Sequence, residues 1–352
     1  MRYTGAANGR CSASAWATVP RECAGVVIMR DLDLAMKWFR ENPADERNAA
    51  ARLEKMAVIQ AAADALESQA YEQYVKAWSA DPAAADRMER EPALHYLSRS
   101  IGQAIEDIRG ARVRKGMALW HLYNMGYVFK TSRTCWGVDL AFRDARRLAK
   151  DLDFLLVSHQ HADHRSDELI AEMIHAGKPV VTSFAKGGLI VPCSSGEQIT
   201  SGPASQSDSR PAPREFSFPG ARVKVDLGDH HHPKSVDDML MFQIDCEDDA
   251  GGCTVYHVGD ASNLAKLRPD RPVDVFIPHV SVGLPIESAI KQINPRMTLV
   301  SHVLELGHSP KPPQPWRWSF RYAYNTIRNI PPRQAAVLTW GERWLLPGTV
   351  LE

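Results

Sequence analysis

Ser158-His159-Gln160-His161-Ala162-Asp163-His164 follows directly on the apolar run Phe154-Leu155-Leu156-Val157. The run reads as a short buried strand that opens into a turn. His159 and His161 are two positions apart, so on extended backbone both rings point to one side and can close on one ion. Asp163 and His164 come after the chain has begun to turn and are expected to face a second ion. The competing reading is a polar loop whose histidines fell together by chance. Four ionisable side chains at this spacing, directly after a strand, weigh against it. So does the crowding of 11 of the 13 histidines between residues 159 and 308.

Outward from this stretch the hydrophobic period alternates between strand and helix. Residues 117–121, 127–130 and 135–140 read as strands, divided by Gly126 and by Thr131-Ser132-Arg133. Residues 143–150 read as a short basic helix. Ser166-Asp167-Glu168 opens a helix to about residue 176, and 179–183 reads as a strand. Strand, helix, strand at this pitch predicts an α/β layered fold. Further strands are expected at 223–227, 239–244, 254–258, 273–278, 297–301 and 335–340, with a helix over 316–330. Residues 194–215, rich in Ser, Gly, Pro and Gln, read as a mobile surface insertion.

The N-terminal third differs. Residues 31–113 are dominated by Ala, Glu, Arg, Leu and Met. The run 45–78 carries Leu53, Met56, Ile59, Ala63, Leu66, Ala70 and Tyr74 at three- and four-residue steps, which predicts one helix. Asp81-Pro82 breaks it and caps the next segment. A helix over 92–109 carries Leu94, Leu97, Ile101, Ile105 and Ile108. These three helices are expected to form a packing or homo-oligomerisation module in preference to a lid, because no ionisable cluster stands out among them. Tyr71, Tyr74 and His95 read as ordinary helix-face residues. Residues 1–28 are expected to be poorly ordered or to precede the true start at Met29.

The chain has 352 residues, enough for one large domain and a smaller one. Forty-two basic residues balance 42 acidic ones, so bulk charge points away from a nucleic-acid partner. No apolar run reaches the roughly 18 residues of a membrane-spanning helix, and no membrane partner is expected. The stretch 24–29 is too short for the core of a secretory signal. The six cysteines include no Cys-x-x-Cys pair. Cys246 and Cys253 flank a polar turn and could meet across a hairpin, but free thiols in a cytoplasmic protein are the expectation.

The H-x-H-x-D-H cluster after an apolar strand resembles the signature of the metallo-β-lactamase fold superfamily of metal-dependent hydrolases. The downstream order of residues looks most like the branch that includes L-ascorbate-6-phosphate lactonase. The resemblance covers about residues 115–345 and leaves the N-terminal third outside. It implies an α/β fold, an αββα sandwich of two packed sheets with helices outside. A helical module over 29–114 would precede a hydrolase domain over 115–352. It also implies a ligand His after the 223–227 strand, where His230, His231 and His232 stand in a row. Neighbours on an extended strand face opposite ways, and His231 is the expected ligand, with His230 next. Asp260 is implied as a carboxylate between the two ions, with Gly259 allowing close approach, and His302 as the last ligand. Asp139 is implied to orient a ligand His from behind; the alternative is an Asp that caps the following helix. Glu305 and His308 are expected behind the ligands or facing substrate. His279, at a strand end, is a substrate-facing candidate, and His257 reads as a packed residue.

The expected centre has one ion on His159, His161 and His231, a second on Asp163, His164 and His302, and Asp260 between them. Nitrogen and oxygen donors suit zinc, manganese or iron without choosing among them. Two ions about 3.5–4 Å apart can share a water, and the bridging hydroxide is the expected nucleophile. Asp163 or a nearby His would manage the proton. The function expected is a binuclear, metal-dependent hydrolase of a small-molecule ester, lactone or phosphoester. The resemblance favours a lactone or phosphorylated metabolite, and Lys186 and Arg321 are candidates for an anionic group. The alternatives are a phosphodiesterase or nuclease, which the neutral charge disfavours, and a non-catalytic metal-binding scaffold, which the filled ligand positions disfavour.

Overall fold

The computed structural model describes residues 24–44, 49–191, 193, 214–312 and 315–352. Residues 1–23 and most of the expected insertion, 194–213, lie outside the described residues. Two seven-stranded sheets form the body of the protein. In the first, the order is Arg343–Leu345, Ala118–His121, Tyr127–Lys130, Cys135–Val138, Phe154–Leu156, Val180–Thr182 and Leu189–Ile190. In the second, it is Ala335–Ala336, Met297–Leu299, Val275–Ile277, Thr254–His257, Met239–Cys246, Ala221–Gly228 and Arg214–Phe218. Each sheet is antiparallel in one half and parallel in the other.

Alternation along the strands makes two cores. Leu119, Phe129, Trp136, Phe154 and Leu156 of the first sheet meet Val223, Leu240, Phe242, Val255 and Ile277 of the second in an inner apolar layer. The opposite faces, through Trp120, Val128, Leu155 and Tyr256, pack with the helices in an outer layer. A period of two sends successive side chains to opposite faces, so both faces of these strands are apolar and both are covered. The result is the αββα sandwich expected, preceded by helices.

Among the described residues those leading helices number five rather than three: Ala24–Glu41, Ala49–Ala65, Ser68–Ala80, Pro82–Met88 and Pro92–Gly110. The first begins at Ala24, inside the stretch expected to be poorly ordered. Asp81 caps the fourth as expected, accepting from Ala84 N at 3.0 Å. The expected run 45–78, of which residues 45–48 lie outside the described residues, is broken at Leu66-Glu67. Arg317 closes the break by donating to the carbonyls of Ala63 and of Leu66, the latter at 2.7 Å. The Leu66 carbonyl is satisfied from far along the chain, while that of Ala63 also accepts from Leu66 N at 3.2 Å. The helix expected over 316–330 is confined to Phe320–Thr326, where Ser319 Oγ accepts from Tyr322 N. Only Ala335–Ala336 of the strand expected over 335–340 joins a ladder. No described helix is long and apolar enough to cross a membrane.

The helices share the outer core with the sheets: Met56, Ile59, Leu94, Leu97 and Ile101 lie in one cluster with Trp120, Val128 and Trp340. Trp120 Nε1 donates to Asp107 Oδ2 at 2.7 Å. Deeper still, Arg52 meets Glu342 at 2.5 Å, with both side chains out of solvent.

Candidate metal centre

The parallel halves of the two sheets run their strands toward one rim. Strand ends at Val138, Leu156, His257, Ile277 and Leu299 deliver Asp139, His159, Asp260, His279 and His302 to it. Ligand-bearing residues at the carboxyl ends of parallel strands are the usual outcome of α/β topology. Leu240 N donates to Ser158 O at 2.8 Å, tying the second sheet to the start of the histidine-rich turn.

His159, His161 and His230 form one group of potential ligands. His159 Nε2 lies 3.0 Å from His161 Nδ1, and the rings of His161 and His230 have centroids 4.7 Å apart. The expected third member, His231, is replaced by His230. The strand ends at Gly228, so strand alternation does not govern the three histidines. Asp229 instead folds the loop. It is buried, accepts from Asp237 N at 2.8 Å and Asn263 Nδ2 at 2.7 Å, and pairs with Lys266. His230 N donates to Asp238 Oδ1 at 2.7 Å. The fold of this loop buries the His230 side chain and leaves His231 exposed.

Asp163, His164 and His302 form the second group. Asp163 Oδ2 lies 3.4 Å from His164 Nε2 and 3.0 Å from His302 Nε2. His302 holds φ +63°, a left-handed conformation that costs a non-glycine residue about 1–3 kcal/mol and clusters at functional sites. Its N–H is held by Asn124 O at 3.1 Å.

Asp260 joins the groups. Its Oδ2 is 3.2 Å from His230 Nε2 and 3.9 Å from His159 Nε2, while its Oδ1 is 3.2 Å from His164 Nε2. One carboxylate thus divides its two oxygens between two clusters. Gly259 makes this approach feasible. It holds φ +48°, and a Cβ there would stand 2.7 Å from Met239 Cε and 3.0 Å from Ser158 Cβ.

These distances test the fit of a divalent ion. Ligands about 2.0–2.1 Å from a tetrahedral ion sit roughly 3.3–3.4 Å from one another. Most of the separations above lie near that value. His164 Nε2 and Asp260 Oδ1 are buried and hydrogen-bonded to no group, although they face one another. Buried polar atoms are normally paired, so atoms of this kind fit a cation better than they fit each other. Burial pushes the His159 imidazole well below its ordinary pKa, helped by the neighbouring His164, which leaves a neutral ring suited to ligation. Burial also opposes charge on His164, but the Asp260 and Asp163 carboxylates outweigh it and raise that group well above the usual range.

Asp139 sets the direction of both rings. Its Oδ1 accepts from Ser158 N at 2.7 Å, and its Oδ2 accepts from Ser158 Oγ at 2.7 Å and from His164 Nδ1 at 2.9 Å. With its own proton given to Asp139, Ser158 Oγ can only accept from His159 Nδ1, 3.0 Å away. Both Nδ1 atoms therefore carry protons, and both Nε2 lone pairs face the centre. The carboxylate serves these groups and not a helix cap. Ser158, an uncharged residue just ahead of the motif, carried no signal of this part. Asp139→Asn is expected to weaken metal binding about 10- to 100-fold, as read by competition with a chromogenic chelator. An unchanged affinity would remove Asp139 from the site.

His279 lies close to Asp260 and His302, but its Nδ1 accepts from Ser281 N at 2.8 Å. Burial pushes this imidazole well below its ordinary pKa. A neutral ring whose Nδ1 accepts has its proton on Nε2, which makes it a hydrogen-bond donor there and not a ligand. Glu305 is buried and sits 3.8 Å from His302 Nδ1, in contact also with His308. His257 donates to Met125 O at 2.9 Å inside the core. A cavity of about 380 Å³ opens over the groups, and His161, Asp163, His230, Asp260 and His302 form its floor. Neither Lys186 nor Arg321 is among its described lining residues.

No protein-family model and no curated protein matches the chain in sequence. Solved structures do resemble it in fold. A possible metal-dependent hydrolase from Veillonella parvula is 15% identical with a TM-score of 0.45, over 65% of this chain and 99% of that one. Igni18, a metallo hydrolase from Ignicoccus hospitalis, is 17% identical with a TM-score of 0.43, over 65% and 98%. CmlA, a diiron β-hydroxylase from Streptomyces venezuelae, is 12% identical with a TM-score of 0.45, over 66% and 54%. Likeness at this level leaves the chemistry to be read from the side chains of the site.

Proposed function

We propose that this chain is a binuclear metal-dependent hydrolase of a small ester, lactone or phosphoester, related to the metallo-β-lactamase fold superfamily. The observation that carries the reading is the division of Asp260 between two groups of ligands, with Oδ2 toward His230 and Oδ1 toward His164. His159, His161 and His230 would hold one ion, and Asp163, His164 and His302 the other; the donor set admits zinc, manganese or iron. Bound divalent ions would lower the pKa of a shared water toward neutrality and polarise the oxygen of the bond under attack.

The remaining work falls to the protein. Asp139 Oδ2 holds the proton of His164 Nδ1 and, through Ser158 Oγ, that of His159 Nδ1, so both rings stay oriented. Asp163 lines the cavity, and the carboxylate oxygen not turned to His164 and His302 would take the proton of the attacking water. His279 Nε2–H supplies a donor for a substrate oxygen on which charge develops. Glu305 lies behind His302, 3.8 Å from its Nδ1.

The test uses protein stripped with a strong chelator and then reloaded with zinc, manganese or iron(II). Hydrolysis of a panel of esters, lactones and phosphoesters should vanish on stripping and return with at least one metal. Turnover that survives complete stripping would contradict the proposal. Metal binding without turnover of any panel member would leave the scaffold reading in its place.

A further inference from the structure

The cavity has two unlike halves. Its floor is the ligand groups; its wall is Ser281, Val282, Trp316 and Trp318, with His308 beside them. No lysine or arginine is among the described lining residues. Trp316 is 46% exposed, a large apolar side chain left to water. Trp318 stacks on Tyr322 with centroids 4.9 Å apart, and Tyr322 Oη lies 2.9 Å from Ser281 Oγ. His308 meets Trp316 edge to face at 5.6 Å. An aromatic surface therefore runs from the ligand groups to the outside of the molecule.

Arg317 stands between the two tryptophans and offers no charge to the cavity. It is 3% exposed. Its Nε donates to His308 O at 2.8 Å and its Nη2 to Leu306 O at 2.7 Å. Its Nη1 is spent on the carbonyls of Ala63 and Leu66. A phosphate-binding arginine presents its fork to the ligand; this one presents it to main-chain oxygens. It pins the tryptophan segment to the end of helix Ala49–Ala65, where Gln60 Oε1 also accepts from Phe320 N at 3.0 Å.

We infer that the substrate carries an uncharged apolar or aromatic group that packs on Trp316, Trp318 and Val282, so the substrate class is an apolar ester or lactone in preference to a phosphorylated one. This rests on the hydrolase reading and narrows it. Aromatic walls with few polar groups recognise apolar ligands, and exposed indole surface gains most when such a ligand covers it. The leading helices acquire a role as well. They buttress the wall, and Arg317 is a positioning residue acting through the two tryptophans.

The test compares esters with one shared leaving group on the metal-loaded full chain: an acetyl ester, a 4-phenylbutanoyl ester and a phosphorylated acyl ester of similar length. The phenyl-bearing ester should have a kcat/KM at least tenfold above the acetyl ester, and the phosphorylated one should fall below both. Trp316→Ala should shrink the phenyl preference severalfold with metal content retained. Arg317→Met should shrink it through KM, and Trp316→Phe should keep most of it. Equal rates across the three, or a preference for the phosphorylated ester, would overturn the inference while leaving the hydrolase reading intact. Failure of every ester, lactone and phosphoester would sink the hydrolase reading instead. Tryptophan-fluorescence titration with 4-phenylbutanoate then decides the wall alone. Binding at least tenfold tighter than acetate, weakened by Trp316→Ala, supports it, and equal binding overturns it.

Discussion

Asp260→Asn is expected to lower turnover at least a thousandfold, about 4 kcal/mol of transition-state stabilisation, and to reduce the bound metal as well. The side chain is nearly isosteric, so packing around Gly259 and Ser158 is kept. What changes is the donor set. An amide offers one oxygen, which can serve either His230's side or His164's side but not both. The second nitrogen face then confronts an imidazole or an ion with N–H groups. His164 also loses the carboxylate whose charge does most to offset its burial. Steady-state kinetics beside elemental analysis separates this from simple unfolding. A variant with full metal content and turnover within tenfold of the parent would contradict the bridging role.

The second large effect is structural. Arg52 and Glu342 are both out of solvent, 2.5 Å apart, at the seam of the leading helices and the sheets. Arg52 Nη2 also donates to Val337 O at 2.8 Å, and Glu342 Oε2 accepts from Thr339 N at 2.9 Å. Burial opposes the guanidinium's charge, but Glu342 and Tyr324 together outweigh it, so Arg52 stays cationic. Glu342→Ala leaves that cation unpaired in an apolar layer and should cost about 3–5 kcal/mol. Replacing both partners by apolar residues, Arg52→Met with Glu342→Leu, should recover much of it. Equilibrium urea unfolding followed by tryptophan fluorescence reads both. A loss near zero for Glu342→Ala would show that the pair is solvated in solution.

The parts of the site that could be read from sequence share one property: each lies immediately past an apolar strand. His159 and His161 follow Phe154–Leu156, Asp260 follows Thr254–His257, and His302 follows Met297–Leu299. A parallel arrangement brings those ends to one rim; spacing alone singled out His159 and His161, while Asp260 and His302 were expected because the resemblance implies ligands at those strand ends. His230 escaped because the alternation rule needs extended backbone, and the strand stops at Gly228. The loop after it takes its shape from Asp229 and Lys266, residues far apart in sequence that no periodicity connects.

The helices show the same division. The cap at Asp81 was legible because it is a local matter of one carboxylate and the next turn's N–H groups. The break after Ala65 was not. The apolar steps run on through Leu66, Ala70 and Tyr74, and Arg317, 251 residues from Leu66, takes up the Leu66 carbonyl and shares the Ala63 carbonyl with Leu66 N. The wall of Trp316 and Trp318 sits in a proline-rich segment with no period at all, and its meaning depends on which cavity the segment happens to edge. The α/β layering needed only the alternation of apolar strands and amphipathic helices, which is dense in the chain; the pairing of two sheets into an αββα sandwich was what the resemblance implied.

The most direct test of the binuclear reading is the metal stoichiometry of the stripped wild-type chain, titrated with zinc or manganese and counted by calorimetry and elemental analysis. About two equivalents per chain are expected, with His161→Ala removing one and Asp260→Asn weakening both. A single equivalent in the wild type, unaffected by Asp260→Asn, would contradict the division of that carboxylate between two ions.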